Sequence, residues 1–276
     1  MNIQDALEIV SQTDSGKVRS HNEDSVAYDA SCGWVVLADG MGGYNAGEVA
    51  SGITISLMSA EVRHRLGQAR PQDKNESGED FGVELLRESM QKANASIFSA
   101  AQSQPQYAGM GTTVVSALFY DNRVAVAHVG DSRLYRLRGS TFESVTRDHS
   151  VLQEQIDSGL ISKQDARLSR NRNLVTRAVG IHPDVEVEIH VHAVQIGDIY
   201  LLCSDGLNDM VEDEDIGLAL GMLKANLPLA ARQLIEMAND NGGRDNVSVI
   251  LVKVNSDFAM PIGWLAKFMS RFKGVP

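Results

Sequence analysis

Two runs of β-branched and apolar residues, separated by only two residues, limit most strongly what this chain can fold into. The first run covers residues 112–120 (TTVVSALFY) and the second covers residues 123–132 (RVAVAHVGDS). Asp121 and Asn122 between them are typical of a two-residue hairpin turn, so we expect the two strands to pair antiparallel. Residues 133–138 alternate charged and apolar side chains, and we expect them to add a third strand of a meander.

Further strands and helices are predicted from the spacing of apolar residues along the chain. The strands cover residues 34–38, 185–192, 199–203 and 247–254, and the helices cover residues 46–66, 81–101, 214–223 and 229–238. Strands that follow one another in hairpins, with helices grouped in pairs, favour an α+β fold over alternating βαβ units. We therefore expect two antiparallel β-sheets packed as a sandwich and flanked by pairs of α-helices, in α-β-β-α layers.

The composition is that of an ordinary globular protein, and it excludes several classes of protein. The 276 residues are 43% hydrophobic and carry a formal net charge of -11, which argues against a nucleic-acid-binding protein. No apolar run approaches about 18 residues, so no transmembrane helix is predicted. The N-terminus lacks the features of a secretory signal, and Cys32 and Cys203 are expected to stay reduced. These features predict a cytoplasmic protein.

Two of the apolar strands lead into an aspartate that is followed by a glycine. Asp39 follows residues 34–38, and Asp205 follows residues 199–203. Either aspartate alone is typical of an ordinary turn. Carboxylates that converge at strand ends repel one another unless a cation lies among them, so their joint occurrence indicates a metal site.

Two further acidic segments share this turn-like setting. Glu23 and Asp24 follow Asn22, and Asp245 follows a pair of glycines. Taken singly, the first segment is typical of a solvated loop and the second of a cap or turn. Together with the two aspartates above they form a set of oxygen ligands, which suits a hard cation such as Mg²⁺ or Mn²⁺.

Six motifs in this chain occur in the order seen in one enzyme family. They are RSHNEDS (19–25), LADGMGG (37–43), GMGTT (109–113), HVGDSR (128–133), LLCSDGL (201–207) and GGRDNVSV (242–249). In this order the motifs resemble those of the metal-dependent type 2C (PPM) serine/threonine protein phosphatases. The chain is similar to the bacterial branch of that family over about residues 14–254, and the family's fold is a β-sandwich flanked by helices. We expect a catalytic domain over residues 1–254.

The resemblance implies a role for each of the residues that match the family's ligands. Asp39 would bridge two ions; Asp205 and Asp245 would hold the first ion, and Glu23 and the backbone carbonyl of Gly40 would hold the second. Asp24 would act through water molecules, and Asp131 with Asp205 would hold a third ion. Arg19 would bind the substrate phosphate. The implied cofactors are two Mn²⁺ or Mg²⁺ ions, with a third in some bacterial members.

This ligand set explains how such a protein would hydrolyse a phosphomonoester. Two cations lower the pKa of a bridging water, and the resulting hydroxide can attack phosphorus in line. The guanidinium of Arg19 would stabilise the charge on the phosphate oxygens. The expected partners are phosphorylated proteins, including a bacterial serine/threonine kinase and its targets. Two alternatives stay open: a phosphoprotein-binding module without turnover, and a two-metal hydrolase of small phosphate esters.

The chain departs from some family members at one position close to the first Asp-Gly pair. Those members have a histidine there that is suspected of protonating the leaving oxygen, whereas this chain has Met41. We therefore assign no general acid. His149 is a candidate, but a structural role is favoured, as it is for His21 and His128.

Two segments carry separate hypotheses about recognition. Residues 157–172 match the family's variable flap, where arginines either attract acidic substrates or form an ordinary solvated loop; they are Arg167, Arg170 and Arg172. Residues 255–276 form a tail whose apolar residues from Trp264 to Phe272 lie on one helical stripe. Contact with a membrane or a partner is one interpretation. Packing on the protein's own surface or in a dimer is favoured.

Overall fold

Two five-stranded antiparallel sheets form the centre of the protein. The computed structural model describes residues 3–43, 46–162, 165 and 174–260. The strands are β1 (Leu7–Asp14), β2 (Asp24–Asp29), β3 (Trp34–Met41), β4 (Gly111–Tyr120), β5 (Arg123–Val129), β6 (Arg133–Arg138), β7 (Thr141–Ser144), β8 (Glu188–Ala193), β9 (Ile199–Cys203) and β10 (Val247–Val254). The first sheet has the order β1-β10-β9-β6-β7, and the second has the order β2-β3-β4-β5-β8.

Two pairs of helices cover the outer faces of the sheets. The α-helices of the described residues are α1 (Ile3–Ala6), α2 (Ala46–Leu66), α3 (Phe81–Ser103), α4 (Val151–Asp157), α5 (Asp205–Asn208), α6 (Asp213–Leu223) and α7 (Leu227–Asp240). The pair α2 and α3 packs its buried apolar residues on the second sheet, and the pair α6 and α7 packs on the first. The predicted α-β-β-α layers are thereby confirmed.

A third apolar layer lies between the two sheets and holds them together. It contains inward-facing residues of both sheets, among them Leu37 and Phe119 from the second sheet and Leu202 and Ile250 from the first. The rings of Phe119 and Tyr200 meet edge to face, with their centroids 5.2 Å apart. Because side chains alternate along a strand, the inner strands of each sheet contribute both to this layer and to one of the two outer layers.

The predicted hairpin between β4 and β5 is confirmed, and the predicted meander is wrong. Asp121 and Asn122 both have positive φ angles, 48° and 53°, as a two-residue turn of this kind requires. The next strand, β6, pairs with β9 and β7 of the other sheet and not with β5. The reason is the turn at Gly130, Asp131 and Ser132, which carries the chain from one sheet to the other.

The strand before the first Asp-Gly pair extends further than predicted. β3 runs to Met41, so Asp39 and Gly40 lie within the strand and pair with Thr113 and Thr112 of β4. They do not form a turn after it. The predicted helix at residues 46–66 is confirmed without change.

Several predictions concern residues that the structure does not describe. Most of the predicted flap (residues 157–172), including its three arginines, and the tail from residue 261 onward lie outside the described residues. Both cysteines are free, as expected. Within the described ranges, none of the helices has the length and hydrophobicity needed to cross a membrane.

Candidate metal centre

Acidic side chains from both sheets meet at one end of the sandwich. Asp24 of β2 and Asp39 of β3 are direct partners in the antiparallel register of the second sheet. Asp205 is the first residue after β9 and Ser204, and Asp245 lies just before β10, so both come from the first sheet. The Ser204 hydroxyl donates a 2.8 Å hydrogen bond to Asp24 Oδ2 and joins the two sheets at this point.

The proximity of these carboxyl groups is visible in their electrostatics. Burial, followed by the charges of Asp24, Asp205 and Asp131, raises the pKa of Asp39 well above its ordinary value. Burial and the charge of Asp131 likewise raise the pKa of Asp205 well above its ordinary value. Burial raises the pKa of Asp24 to about 6. Repulsion of this kind disfavours several negative charges in one place, unless a cation compensates them.

The donor set fits divalent cations. Asp24 is 8% exposed, and its Oδ1 atom is buried without a hydrogen-bond partner. Burial of a carboxylate oxygen without a hydrogen bond is energetically unfavourable, and a cation or its water ligands would compensate the lost hydration. The neighbouring donors are carboxylate oxygens, the ligands that Mg²⁺ and Mn²⁺ prefer. The residues present therefore fit the expected ions.

The backbone packs closely around Glu23 and Gly40. Gly40 N–H donates to Glu23 O at 3.1 Å. A Cβ atom on Gly40 would lie 2.1 Å from the carbonyl oxygen of Gly47, and one on Gly47 would lie 2.8 Å from Glu23 Oε1. Because both positions are glycine, the start of α2 can approach β3, and the Glu23 carboxylate accepts backbone hydrogen bonds from Gly47 and Glu48. Burial raises the pKa of Glu23, while the charge of Arg19 opposes that effect.

Arg19 lies on the loop before β2, on the solvent side of the acidic cluster. Its Nη2 atom is 2.7 Å from Asp245 Oδ2. The hydrogen bond that the guanidinium donates to Asp245 raises the pKa of Arg19. The side chain is 51% exposed, so it can reach a ligand that approaches from solvent.

Asn246 holds this loop in place, a role that its neighbours in the sequence do not reveal. Its Oδ1 accepts from Glu23 N–H at 2.8 Å, while its Nδ2 donates to the carbonyl oxygens of Ser15 and His21 at 3.0 and 2.8 Å. Asn246 therefore joins the loop that carries Arg19 and Glu23 to the start of β10. An asparagine next to Asp245 is the only local signal, and it is also typical of a turn.

Asp131 lies on the turn between β5 and β6 and shares a pocket with Asp205. Asp148 and Asp209 line the same pocket, together with apolar residues of α4. Asp131 is 7% exposed. Burial and the charge of Asp148 raise its pKa to about 7. The structure therefore brings Asp131 to the same acidic cluster, as the resemblance implies.

A second group of candidate ligands lies behind the Asp131 turn. By distance alone His128, His149 and Glu188 could hold an ion, because one ligand atom of each lies within 4.8 Å of the others. However, His149 Nδ1 accepts the Gly130 N–H at 3.1 Å, so the ring proton is on Nε2, which faces Glu188 Oε2 at 3.1 Å. A neutral histidine bonded in this way has no lone pair on Nε2 for a metal. This arrangement agrees with a structural role for His149.

The layered sandwich and its cluster of buried carboxylates define a class, the metal-dependent phosphatases. The family model for protein phosphatase 2C matches residues 13–247, and the chain belongs to this family. The resemblance seen in the motifs is thereby confirmed. The chain is therefore a protein phosphatase of the metal-dependent 2C type.

Named bacterial phosphatases are similar over most of the chain. The serine/threonine phosphatase stp of Listeria welshimeri is 37% identical over 248 residues, which cover 88% of this chain and 94% of that protein. The serine/threonine protein phosphatase PstP of Mycobacterium tuberculosis is 38% identical over 90% of this chain, which spans 45% of that longer protein. The catalytic domain of PstP in a crystal structure with two manganese ions superposes with a TM-score of 0.79 at 36% identity, covering 91% of this chain and 99% of that domain.

Proposed function

We propose that this protein removes phosphate from phosphoserine and phosphothreonine side chains of proteins and opposes a bacterial serine/threonine kinase. The observation that carries this proposal is the convergence of Asp24, Asp39, Asp205 and Asp245 from two sheets, with one oxygen of Asp24 buried and unpaired. Phosphorylated proteins are the substrates, and the kinase and its targets are the proposed partners. The two free cysteines support a reducing, cytoplasmic location.

The acidic residues would hold the ions. Asp39, at the centre of the cluster, is the proposed bridging ligand, and Asp205 and Asp245 are the proposed ligands of one ion. Glu23 and the carbonyl oxygen of Gly40 are the proposed ligands of the other. When bound, two such ions neutralise phosphate charge and activate water near neutral pH. The hydroxyl of Ser204 holds Asp24 in one orientation and keeps it available to water molecules of the site.

Arg19 would bind the phosphate. Its planar guanidinium presents a fork of N–H donors that matches two phosphate oxygens. In the structure this fork is bonded to Asp245, which becomes a less attractive partner when its charge is shared with a cation. We infer that Arg19 then turns to the phosphate and stabilises the charge that develops on its oxygens. Met41 lies at the end of β3 and cannot donate a proton, so this chain offers no general acid at that position.

The alternative of a phosphoprotein-binding module without turnover is not supported. A binder of phosphate needs cations such as Arg19, but it has no need for several carboxylates that repel phosphate. Their retention, at a cost in electrostatic repulsion, is understandable only if they hold ions.

The decisive experiment measures phosphate release from a phosphothreonine peptide with and without Mn²⁺. We expect Asp39→Asn and Asp205→Asn to lower kcat by about a hundredfold or more, the effect of removing one preorganised electrostatic group. Asp184→Asn is the matched control, because this aspartate is exposed and outside the cluster. Activity that survives both EDTA and the two substitutions would contradict the proposed mechanism. A protein that binds the peptide without releasing phosphate would support the binding module instead.

A further inference from the structure

The turn that carries Asp131 is held by one histidine from two sides. His149 N–H donates to Gly130 O at 2.9 Å, and Gly130 N–H donates to His149 Nδ1 at 3.1 Å. Gly130 has a φ angle of 108°, and a Cβ there would lie 2.5 Å from Thr113 Cβ. The turn therefore depends on a backbone conformation in which its amide group points at the imidazole.

A second set of contacts fixes the orientation and the tautomer of this imidazole. His149 is 7% exposed, and its ring stacks on His128 with centroids 4.6 Å apart and planes 15° from parallel. His128 Nε2 in turn donates to the carbonyl oxygen of Arg147 at 2.8 Å. Glu188 Oε2 accepts from His149 Nε2, and hydrogen bonds from His149 and His190 outweigh burial and lower the pKa of Glu188 to about 2. Because Glu188 is an anion, the proton stays on His149 Nε2, and Nδ1 keeps its lone pair for Gly130.

The same histidine also lies where the chain before α4 meets the chain that follows the predicted flap. Its carbonyl oxygen accepts from Thr176 N–H at 2.7 Å, and Val151 N–H, at the start of α4, donates to Leu174 O at 2.9 Å. Asp148, next to His149, forms a two-pronged ion pair with Arg133, at 2.8 and 2.7 Å. These two stretches of chain are thus bonded to each other close to Gly130.

We propose that His149, oriented by Glu188, is a positioning residue that sets the Asp131 carboxylate for ion binding beside Asp205. This inference rests on the proposed role of Asp131 as an ion ligand. The ring acts through the Gly130 amide and does not touch substrate or ions. Removing such an outer contact of a ligand typically lowers metal affinity about 10- to 100-fold.

Two substitutions of His149 test the contacts of its two ring nitrogens separately: the contact of Nδ1 with Gly130 and the contact of Nε2 with Glu188. Asn places its Oδ1 close to the position of Nδ1 and can accept from Gly130, but it does not reach Glu188. Gln reaches Glu188 but offers no acceptor at the δ position. We therefore expect His149→Gln to weaken the lowest-affinity Mn²⁺ binding step by about tenfold or more in calorimetry. His149→Asn should bind Mn²⁺ close to the unchanged protein, and His192→Gln, on β8 away from the turn, is the matched control.

A measurement on the unchanged protein tests the contact without any variant. In long-range proton–nitrogen spectra of the full chain with labelled histidine and Mg²⁺, His149 should appear as the neutral Nε2–H tautomer. The opposite tautomer would overturn the inference, as would equal Mn²⁺ affinities for His149→Gln, His149→Asn and the unchanged protein. If Asp131→Ala leaves every Mn²⁺ step intact while phosphate release still needs Mn²⁺, this inference fails and the proposed function stands.

Discussion

The guanidinium of Arg19 is bonded to the carboxylate of Asp245, with Nη2 and Oδ2 2.7 Å apart. The side chain proposed to bind phosphate is thus paired with a side chain proposed to bind an ion. The pair is half-exposed, with 51% of the arginine side chain and 31% of the aspartate side chain open to solvent. Pairs of this exposure contribute little to stability, about 0–1 kcal/mol. We therefore expect the Arg19–Asp245 pair to affect the binding of phosphate and ions more than the stability of the fold.

The first prediction concerns this pair. Arg19→Ala should raise KM for a phosphothreonine peptide and lower kcat, because the phosphate loses its planar bidentate partner. Mn²⁺ affinity should be equal or higher, since Asp245 no longer shares its charge with an arginine. Steady-state kinetics and calorimetry measure both effects. Lys17→Ala, which removes the exposed Lys17–Asp240 pair at 3.3 Å, serves as the control. Weaker Mn²⁺ binding in Arg19→Ala would argue against this account.

The second prediction concerns the pH dependence of stability without metal. The pKa of Asp131 is raised from 3.8 to about 7 in the folded protein. The folded state therefore holds this proton more tightly than the unfolded chain, and the group's contribution to stability is lost as pH rises through this window. In EDTA, Asp131→Asn should have the higher Tm, and its advantage over the unchanged protein should grow as pH rises from about 4 to about 7.

The control for this pH series is Asp184→Asn, an exposed position where no such trend is expected. Addition of Mn²⁺ should remove the advantage of Asp131→Asn, because the cation then compensates the charge in the unchanged protein. If the Tm advantage of Asp131→Asn over the unchanged protein shrinks as pH rises in EDTA, ionisation of Asp131 does not destabilise the folded protein and the prediction is wrong.

The third prediction uses two glycines of contrasting surroundings. Gly40→Ala should lower both stability and Mn²⁺ affinity, because the added methyl group would lie 2.1 Å from the carbonyl oxygen of Gly47. Gly52→Ala, inside α2 with nothing within 4 Å, should be neutral or stabilise by about 0.5–1 kcal/mol, since alanine favours the helix. Thermal unfolding with and without Mn²⁺ measures both. Equal Tm values for the two variants would contradict the close approach of α2 to β3.

The fourth prediction concerns Asn246. Asn246→Ala removes three hydrogen bonds to the loop that carries Arg19 and Glu23, and it leaves the Glu23 amide and two carbonyl groups without partners. We expect a loss of about 1–3 kcal/mol in the free energy of unfolding, and weaker Mn²⁺ binding. Asn241→Ala is the control, because the hydrogen bond of that side chain to Met210 O is exposed to solvent. Urea unfolding and calorimetry provide the two readouts.

Much of the fold could be predicted because the relevant signals are local. The two-residue turn at Asp121 and Asn122 determines the β4–β5 pairing, and the apolar spacing of residues 46–66 determines α2. The partner of β6 could not be predicted in the same way. Its pairing with β9 joins residues more than 60 positions apart, at a turn whose local sequence is equally compatible with a meander.

The candidate site shows the same division between local and distant signals. The acids next to Gly40 and Gly206 stand out in the sequence because each follows an apolar strand, which suggests that they converge. The repulsion expected among converging carboxylates then indicates a cation. The hydrogen bond from Ser204 to Asp24 joins residues 180 positions apart, and a local sequence pattern cannot predict it. Asn246 and His149 resemble ordinary turn residues because their importance comes from distant partners, the Glu23 amide and Glu188.

The location of the acidic cluster at the seam of the sandwich has a consequence for the whole molecule. Asp24 and Asp39 belong to one sheet, whereas Asp205 and Asp245 follow or precede strands of the other. Cations held by the proposed ligands Asp39, Asp205 and Asp245 would therefore act as a removable cross-link between the two halves of the core. Loss of manganese or magnesium would loosen this edge of the sandwich as well as stop the proposed hydrolysis.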